Sequence, residues 1–201
     1  RLEAGRSAQG EIQAVLAAMQ NRIRAMALLH EALYRTTTFA AVDLAAYLTD
    51  IATQTFRQTV EPRTGVQLRL DLTSVFVSMD QALPCGLLVN ELIANGIKHG
   101  FPDGRGGEIG VALHPVDGTA ALRLRVSDTG VGLPADFDAR RARALGLQLV
   151  TGLVEQLDGT LTSGPAPSAA FTVTFTAGAP ASRATASVDG PGAGPGVWSW
   201  K

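Results

Sequence analysis

From Glu11 to Arg35 the chain has neither Gly nor Pro, and Ile12, Leu16, Met19, Ile23, Met26, His30 and Leu33 recur at alternating spacings of four and three. That is an a/d heptad seam, the pattern of a helix packed along another helix. Arg22, Arg24 and Glu31 fall off the seam, as residues of a solvated face should. A lone amphipathic helix cannot bury such a stripe, so a partner helix is implied. Residues 1–9 read as the end of an earlier helix and a turn, which puts that partner upstream or in a second subunit.

Thr36-Thr37-Thr38 breaks the pattern. Asp43 suits an N-cap, with a helix running on to about Gln58 and Leu44, Tyr47, Leu48 and Ile51 facing inward. Residues 66–72 (VQLRLDL) and 75–79 (VFVSM) alternate and are split by Thr73-Ser74, which predicts a hairpin. Asp80 is placed to cap a helix from Gln81 to about His99, with Pro84 tolerated in its first turn. A Gly-rich loop (101–108) precedes two alternating strands, EIGVALHP and AALRLRVSD, joined by a turn at Asp117-Gly118. Such alternation buries one face and solvates the other, the habit of an antiparallel sheet with helices on one side. A loop over 128–144, an apolar helix from Leu145 to Leu157 and strands near Thr160–Ser163 and Phe171–Thr176 complete the pattern.

The helix over 81–99 is unusually polar for its apolar context. At ~100° per residue, with Leu83 at 0°, Leu87, Ala94 and Ile97 form an apolar stripe. Glu91, Asn95 and Lys98 fall together at about 80°, 120° and 60°, with His99 at the ridge's edge. An acid, an amide and an amine so stacked could hold a hydrated cation and an anion together. The alternative is an exposed face with a charge pair. Asn90 points toward the core side, where a structural hydrogen bond is the expected role.

Two glycine loops follow. In Asp128-Thr-Gly130-Val-Gly132-Leu133-Pro a carboxylate stands at a strand end, able to accept a hydrogen bond from an exocyclic amine; a tight turn with a capping Asp is the plainer reading. Leu145-Gly146-Leu147 opens a helix whose free N–H groups and dipole suit an anion, unless the helix start simply needs a small residue. The stretch GVGLPA also fits G-x-G-x-x-A, but the strand before it alternates, whereas a central parallel strand would be apolar throughout. No phosphate-binding P-loop sequence occurs.

Composition narrows the field. The 201 residues are 46% apolar, enough for a core, and the net charge of −1 gives no footprint for nucleic acid. No stretch is long and apolar enough for a membrane span, and Cys85 stands alone, so neither an intrachain disulfide nor a cysteine zinc site is possible. A cytoplasmic location is the expectation. From Ala177 the chain turns to Ala, Gly, Pro and Ser, the composition of a poorly ordered tail, with Trp198 and Trp200 near its end.

Taken in order, NELIANGIKHG, FPDGRGG, DTGVGLP and LGLQLV closely resemble the nucleotide-binding boxes of sensor histidine kinases, within the wider superfamily shared with gyrase and mismatch-repair ATPases. NRIRAMALLHEALYR resembles the second dimerisation helix of their HWE-like subgroup, in which the lid is short and a separate F box is missing, as here. The resemblance covers roughly residues 10–177 and implies an α+β fold: a two-layer α/β sandwich of Bergerat type, its mixed, mostly antiparallel sheet carrying helices on one face, preceded by a long N-terminal helix. It implies three parts: the end of a dimerisation and phosphotransfer hairpin (1–38), an ATP-binding catalytic domain (39–177) and a flexible tail (178–201).

The resemblance also implies roles. Glu91 matches the catalytic acid and Asn95 the magnesium-binding asparagine. Lys98 and His99 match residues near the phosphates or adenosine, and Asp128 the aspartate that recognises the adenine amino group. Gly130, Gly132 and Leu133 match the first glycine box, Leu145, Gly146 and Leu147 the second, and residues 133–144 the lid. ATP and Mg²⁺ are the implied cofactors, with a homodimer through the hairpin and a response-regulator receiver domain as partners. One departure matters: the helix bearing the family's phosphorylated histidine is absent or reduced to a stub. His30 sits in the seam and matches the subgroup's HExLY histidine, which favours a packing role over a phosphoacceptor one; His99 belongs to the nucleotide box, and His114 is expected at the surface. A histidine phosphotransferase or adaptor with a degenerate nucleotide domain is the alternative, disfavoured by Asn95, Asp128 and both glycine boxes. A serine kinase of the anti-sigma-factor type is disfavoured by the heptad helix.

Overall fold

The computed structural model describes residues 41–60, 65–134, 145–164 and 168–178, together with Phe137 and helical backbone at 16, 19, 20, 23 and 27. The elements in order are β1 (Val42–Asp43), α1 (Leu44–Thr59), β2 (Val66–Leu72), β3 (Phe76–Val77), α2 (Met79–Gly100), β4 (Gly107–Pro115), β5 (Ala121–Asp128), α3 (Leu145–Gln156), β6 (Thr160–Ser163) and β7 (Ala170–Thr176). Five strands form one mixed sheet in the order β2-β4-β5-β7-β6. Only β2 and β4 run parallel; the other neighbours are antiparallel.

Alternation decides which face is covered. Val111 lies opposite Val126 and Leu113 opposite Leu124, all four buried, while Arg123 and Arg125 between them are exposed. On the covered face α1 packs on β2, α2 on β4 and β5, and α3 on β6. This is the expected two-layer α/β sandwich. The Asp117-Gly118 turn also forms as expected, with Gly118 at φ 72°.

Helix α1 starts where its sequence says it should. Asp43 Oδ1 accepts the N–H groups of Ala45 (3.0 Å) and Ala46 (3.3 Å), and Leu44, Tyr47, Leu48 and Ile51 are buried. Tyr47 fits against α2 because residue 86 is glycine: a methyl there would lie 2.5 Å from the Tyr47 hydroxyl. Across the same interface Thr55 Oγ1 donates to Asn90 Oδ1 at 2.8 Å in a buried setting, which gives Asn90 the structural role its position on the helix implied.

Three expectations fail. The hairpin over 66–79 does not form. Strand β2 instead pairs with β4, forty residues on, and β3 pairs with β1 through Val42↔Val77. Local alternation is blind to a partner so far away, and Asp43 holds the β3 approach through Ser74 Oγ (3.0 Å) while Leu44 N–H bonds to Val75 O (2.9 Å). Second, α2 begins at Met79 with Ser78 at its cap and no side-chain capping bond, so Asp80 lies inside the first turn and Pro84 deeper in the helix than expected. There Asp80 still suits the positive end of the helix dipole. Third, the apolar stripe centred on Leu83 is not the centre of α2's buried side: Leu87 is buried, but Leu83, Ala94 and Ile97 are only half-buried. Cys85, Leu88, Val89 and Ile93 are fully buried. Helix α2 lies between α1, α3 and the sheet, so most of its circumference is covered.

At the N-terminal seam, Leu16, Met19 and Ile23 are exposed by 53%, 59% and 68%. The remaining seam positions, the 1–38 boundary and the tail beyond Gly178 lie outside the described residues. No described helix is long and apolar enough to cross a membrane.

Candidate functional site

A cavity of about 520 Å³ opens between α2, the ends of β4, β5 and β7, the loop after β5 and the start of α3. Its size falls in the range of small-molecule sites. Asn95, His99, Asp128, Gly132, Leu133, Gly146 and Leu147 all contribute to its wall. The structure thus gathers onto one surface residues spread over fifty positions of sequence.

Asp128 stands at the closed end. Its residue is 7% exposed, its N–H bonds to Ala169 O at 2.9 Å, and its Oδ1 accepts the Gly130 N–H at 2.9 Å. Burial pushes its carboxyl above the usual carboxylate range, opposed by the backbone hydrogen bonds of Gly130 and Ala169. A largely buried carboxylate in a cavity wall is a strong acceptor for a donor on a bound ligand. Room beside it comes from two glycines of α2 that sequence reading passed over. A methyl at Gly100 would sit 3.0 Å from Asp128 Oδ1, and one at Gly96 would sit 3.5 Å from Oδ2 and 2.9 Å from Ile109 Cδ1. Their i, i+4 spacing on the helix that carries the polar ridge was the available signal.

The loop after β5 is fastened to the end of α2. Val131 N–H bonds to Gly100 O at 2.9 Å, and a methyl at Gly130 would run into the Gly100 carbonyl. Gly130 is therefore a packing glycine that does not line the cavity, whereas Gly132, at φ 78°, does. Thr129 ties the loop to β4 from both sides, its N–H to Glu108 O (3.0 Å) and its Oγ1 accepting Glu108 N–H (2.9 Å).

The opposite end is more open. Gly146 near the start of α3 faces α2: a methyl there would lie 3.3 Å from Glu91 Oε2 and 3.7 Å from Asn95 Nδ2. Glu91 is thus at the border of the cavity rather than in its wall, next to Gly146 of α3. His99 lines the cavity, and its imidazole is held below its usual pKa by burial and by the positive charge of Lys98. Lys98 itself is exposed and stands off the wall. The side chain of Leu145 lies outside the described residues. His114 is on the uncovered face of the sheet, near Thr73 Oγ1 and Asp71 Oδ2, each at 3.1 Å, remote from the cavity.

These donors suit a hard divalent cation held only in part by protein. Among the described residues no cluster of three His, Cys, Asp or Glu side chains could cage a metal. Magnesium needs no such cage, since it keeps waters and takes phosphate oxygens with one or two protein groups. The Asn95 amide and the Glu91 carboxylate, with glycine between them and α3, leave space for that arrangement.

Residues 1–59 match the family described as histidine kinase, and residues 81–180 match the histidine kinase-, DNA gyrase B- and HSP90-like ATPases. The chain belongs to the sensor histidine kinases. Its nucleotide-binding half is the histidine kinase ATPase domain. Blue-light-activated histidine kinase 2 of Erythrobacter litoralis is 28% identical over 159 residues, 77% of this chain and 45% of that protein. Sensor histidine kinase PdtaS of Mycobacterium tuberculosis is 28% identical over 80% of this chain and 32% of its own length. The chain therefore spans less than half of these curated relatives. Among solved structures, the histidine kinase domain of the Erythrobacter litoralis EL346 blue-light kinase superposes with a TM-score of 0.71 at 25% identity, covering 80% of this chain and 75% of that one.

Proposed function

We propose that this chain binds Mg²⁺-ATP in the cavity and transfers the γ-phosphoryl group to a histidine on an upstream helix, from which it passes to a response-regulator aspartate. The observation that carries this reading is one cavity with a buried carboxylate, Asp128, at its closed end and an acid–amide pair, Glu91 and Asn95, beside a helix N-terminus at its open end. The full-length structure of ShkA was determined with AMPPNP, and its fold resembles this chain with a TM-score of 0.57.

Asp128 accepts a hydrogen bond from the exocyclic amine of the base, replacing the solvent it gave up on folding. The backbone of Gly132 and the α3 start at Gly146-Leu147 approach the ribose and phosphates closely. Asn95 would hold the magnesium ion, which neutralises charge on the phosphate oxygens. Glu91 orients the attacking imidazole or takes its proton. A P–N bond forms as the bond from the γ-phosphorus to the bridging oxygen breaks, and ADP leaves. Little covalent work falls to the protein, as phosphoryl transfer is mostly positioning and charge neutralisation. Dimerisation through the N-terminal helix would cover the exposed side chains of Leu16, Met19 and Ile23.

Calorimetric titration with ADP and Mg²⁺ tests the reading. Wild type should bind, and Asp128→Asn should bind at least about tenfold more weakly, the scale of a hydrogen bond to a charged group. No binding by wild type would overturn the kinase reading in favour of an adaptor. In a chain extended upstream, an acid-labile phosphorylated product identifies histidine as acceptor, and an acid-stable one identifies serine.

A further inference from the structure

Phe137 lies in the segment between the two glycine boxes, and its sequence context gives that side chain no role of its own. Its ring packs on Phe171 of β7, with centroids 5.6 Å apart and planes tilted by 54°, and both residues line the cavity. Its N–H bonds to Pro134 O at 3.0 Å, which ties it to the end of the DTGVGLP loop.

The register of β7 fixes which end of the cavity this pair occupies. Phe171 is opposite Val126, while Ala169 O receives the Asp128 N–H. Phe171, and with it Phe137, therefore belongs to the Asp128 end. Around them the wall is apolar, with Ile109, Val126 and Ala169. The Asn95–Gly146 end offers polar groups instead. A flat aromatic ligand part with one polar edge matches the first end, and a charged part the second.

We infer that Phe137 is the base-covering residue of the site: with Phe171 it forms an aromatic wall on which a purine packs while Asp128 reads its amine edge. At 5.6 Å the two rings are in mutual contact, so no third ring fits between them and the base lies against the outer side of the pair. The inference rests on the nucleotide reading above and adds to it a selectivity for aromatic bases that one carboxylate could not supply. An apolar wall grips any flat base by its face, whereas Asp128 discriminates by its edge.

The test measures adenosine and ADP affinity, each with Mg²⁺, for wild type, Phe137→Ala and Phe137→Tyr. Phe137→Ala should weaken both ligands by about the same factor, roughly tenfold or more, as for loss of a base–aromatic stack. Phe137→Tyr should stay within about twofold of wild type, since the ring face is kept. Two results overturn the inference while wild type still binds ADP: Phe137→Ala binding both ligands like wild type, or losing affinity for ADP but not for adenosine. In the second case Phe137 serves the phosphate end. Failure of wild type to bind ADP removes the inference together with the nucleotide reading, a different result from either.

Discussion

The two ends of the cavity are built in opposite ways. The Asp128 end is made largely from the interior of the fold: a strand terminus, two helix glycines in near contact, the buried Ile109 of β4 and the partly buried Phe171 of β7. The Asn95 end is made from half-exposed side chains and from a helix start that faces them across a glycine. Substitutions at the first end must therefore disturb folding and binding together. At the second end chemistry and stability separate. On the proposed function, base recognition would be welded into the scaffold and phosphate handling mounted on it.

Asn95→Ala gives the sharpest separation. In a chain extended to include the upstream helix, phosphorylation should fall by about two orders of magnitude or more, the scale of removing one preorganised electrostatic contact. Melting temperature should barely change, because the side chain is only half-buried. A comparable fall in stability would break the distinction between the ends. Gly130→Ala should do the reverse, costing about 1–3 kcal/mol of folding free energy by overpacking against the Gly100 carbonyl. Chemical denaturation measures that loss, and the weakened ADP binding should follow from the displaced loop.

His99 supplies a pH test of intermediate size. Burial and Lys98 hold its imidazole below the usual value in the free protein, so it is neutral at pH 7. A nearby phosphate would favour the imidazolium, raising the pKa in the complex, so binding takes up a proton. ADP affinity should then rise as the pH falls from 7 through the window between the two values, by at most about tenfold per pH unit. His99→Gln should flatten this slope, measured by titration across that range. Protonation of Asp128, whose carboxyl is itself raised, opposes the gain at lower pH. Smallest of all, Lys98→Ala should change ADP affinity by no more than about threefold, since an exposed, screened charge off the cavity wall contributes little.

Legibility in the sequence follows the same division. That Asn95, Asp128, Gly132 and Gly146 share one cavity wall was legible, because their residue types recur in a recognisable order along the chain. The antiparallel pair β4–β5 was visible because a short turn makes its register local. The apolar wall was not, since Ile109, Val126 and Phe171 look like any core residues until strand order brings them under one helix. Nor was the parallel pairing of β2 with β4, whose partners are separated by the whole of α2. The helix wheel ordered the polar residues of α2 but misplaced the centre of its buried side, because a wheel cannot know that two further helices flank it. Lys98 shared the ridge's angle yet stands off the wall, because α2 turns to the cavity the neighbouring arc of Leu92, Gly96, His99 and Gly100, with Asn95 at its edge.

The parallel pairing of β2 with β4 has a consequence for how the chain assembles. Helix α2 is the crossover between those strands, so β2 can dock on β4 only after the helix that carries Glu91 and Asn95 has been threaded back across the sheet. Loop-closure entropy makes such a joint late to form and early to open. As an edge strand bonded on one side only, β2 should lead hydrogen exchange in the sheet, ahead of β4, β5 and β7. The order of assembly then runs from the strands that floor the cavity outward to the strand that shares no part of it.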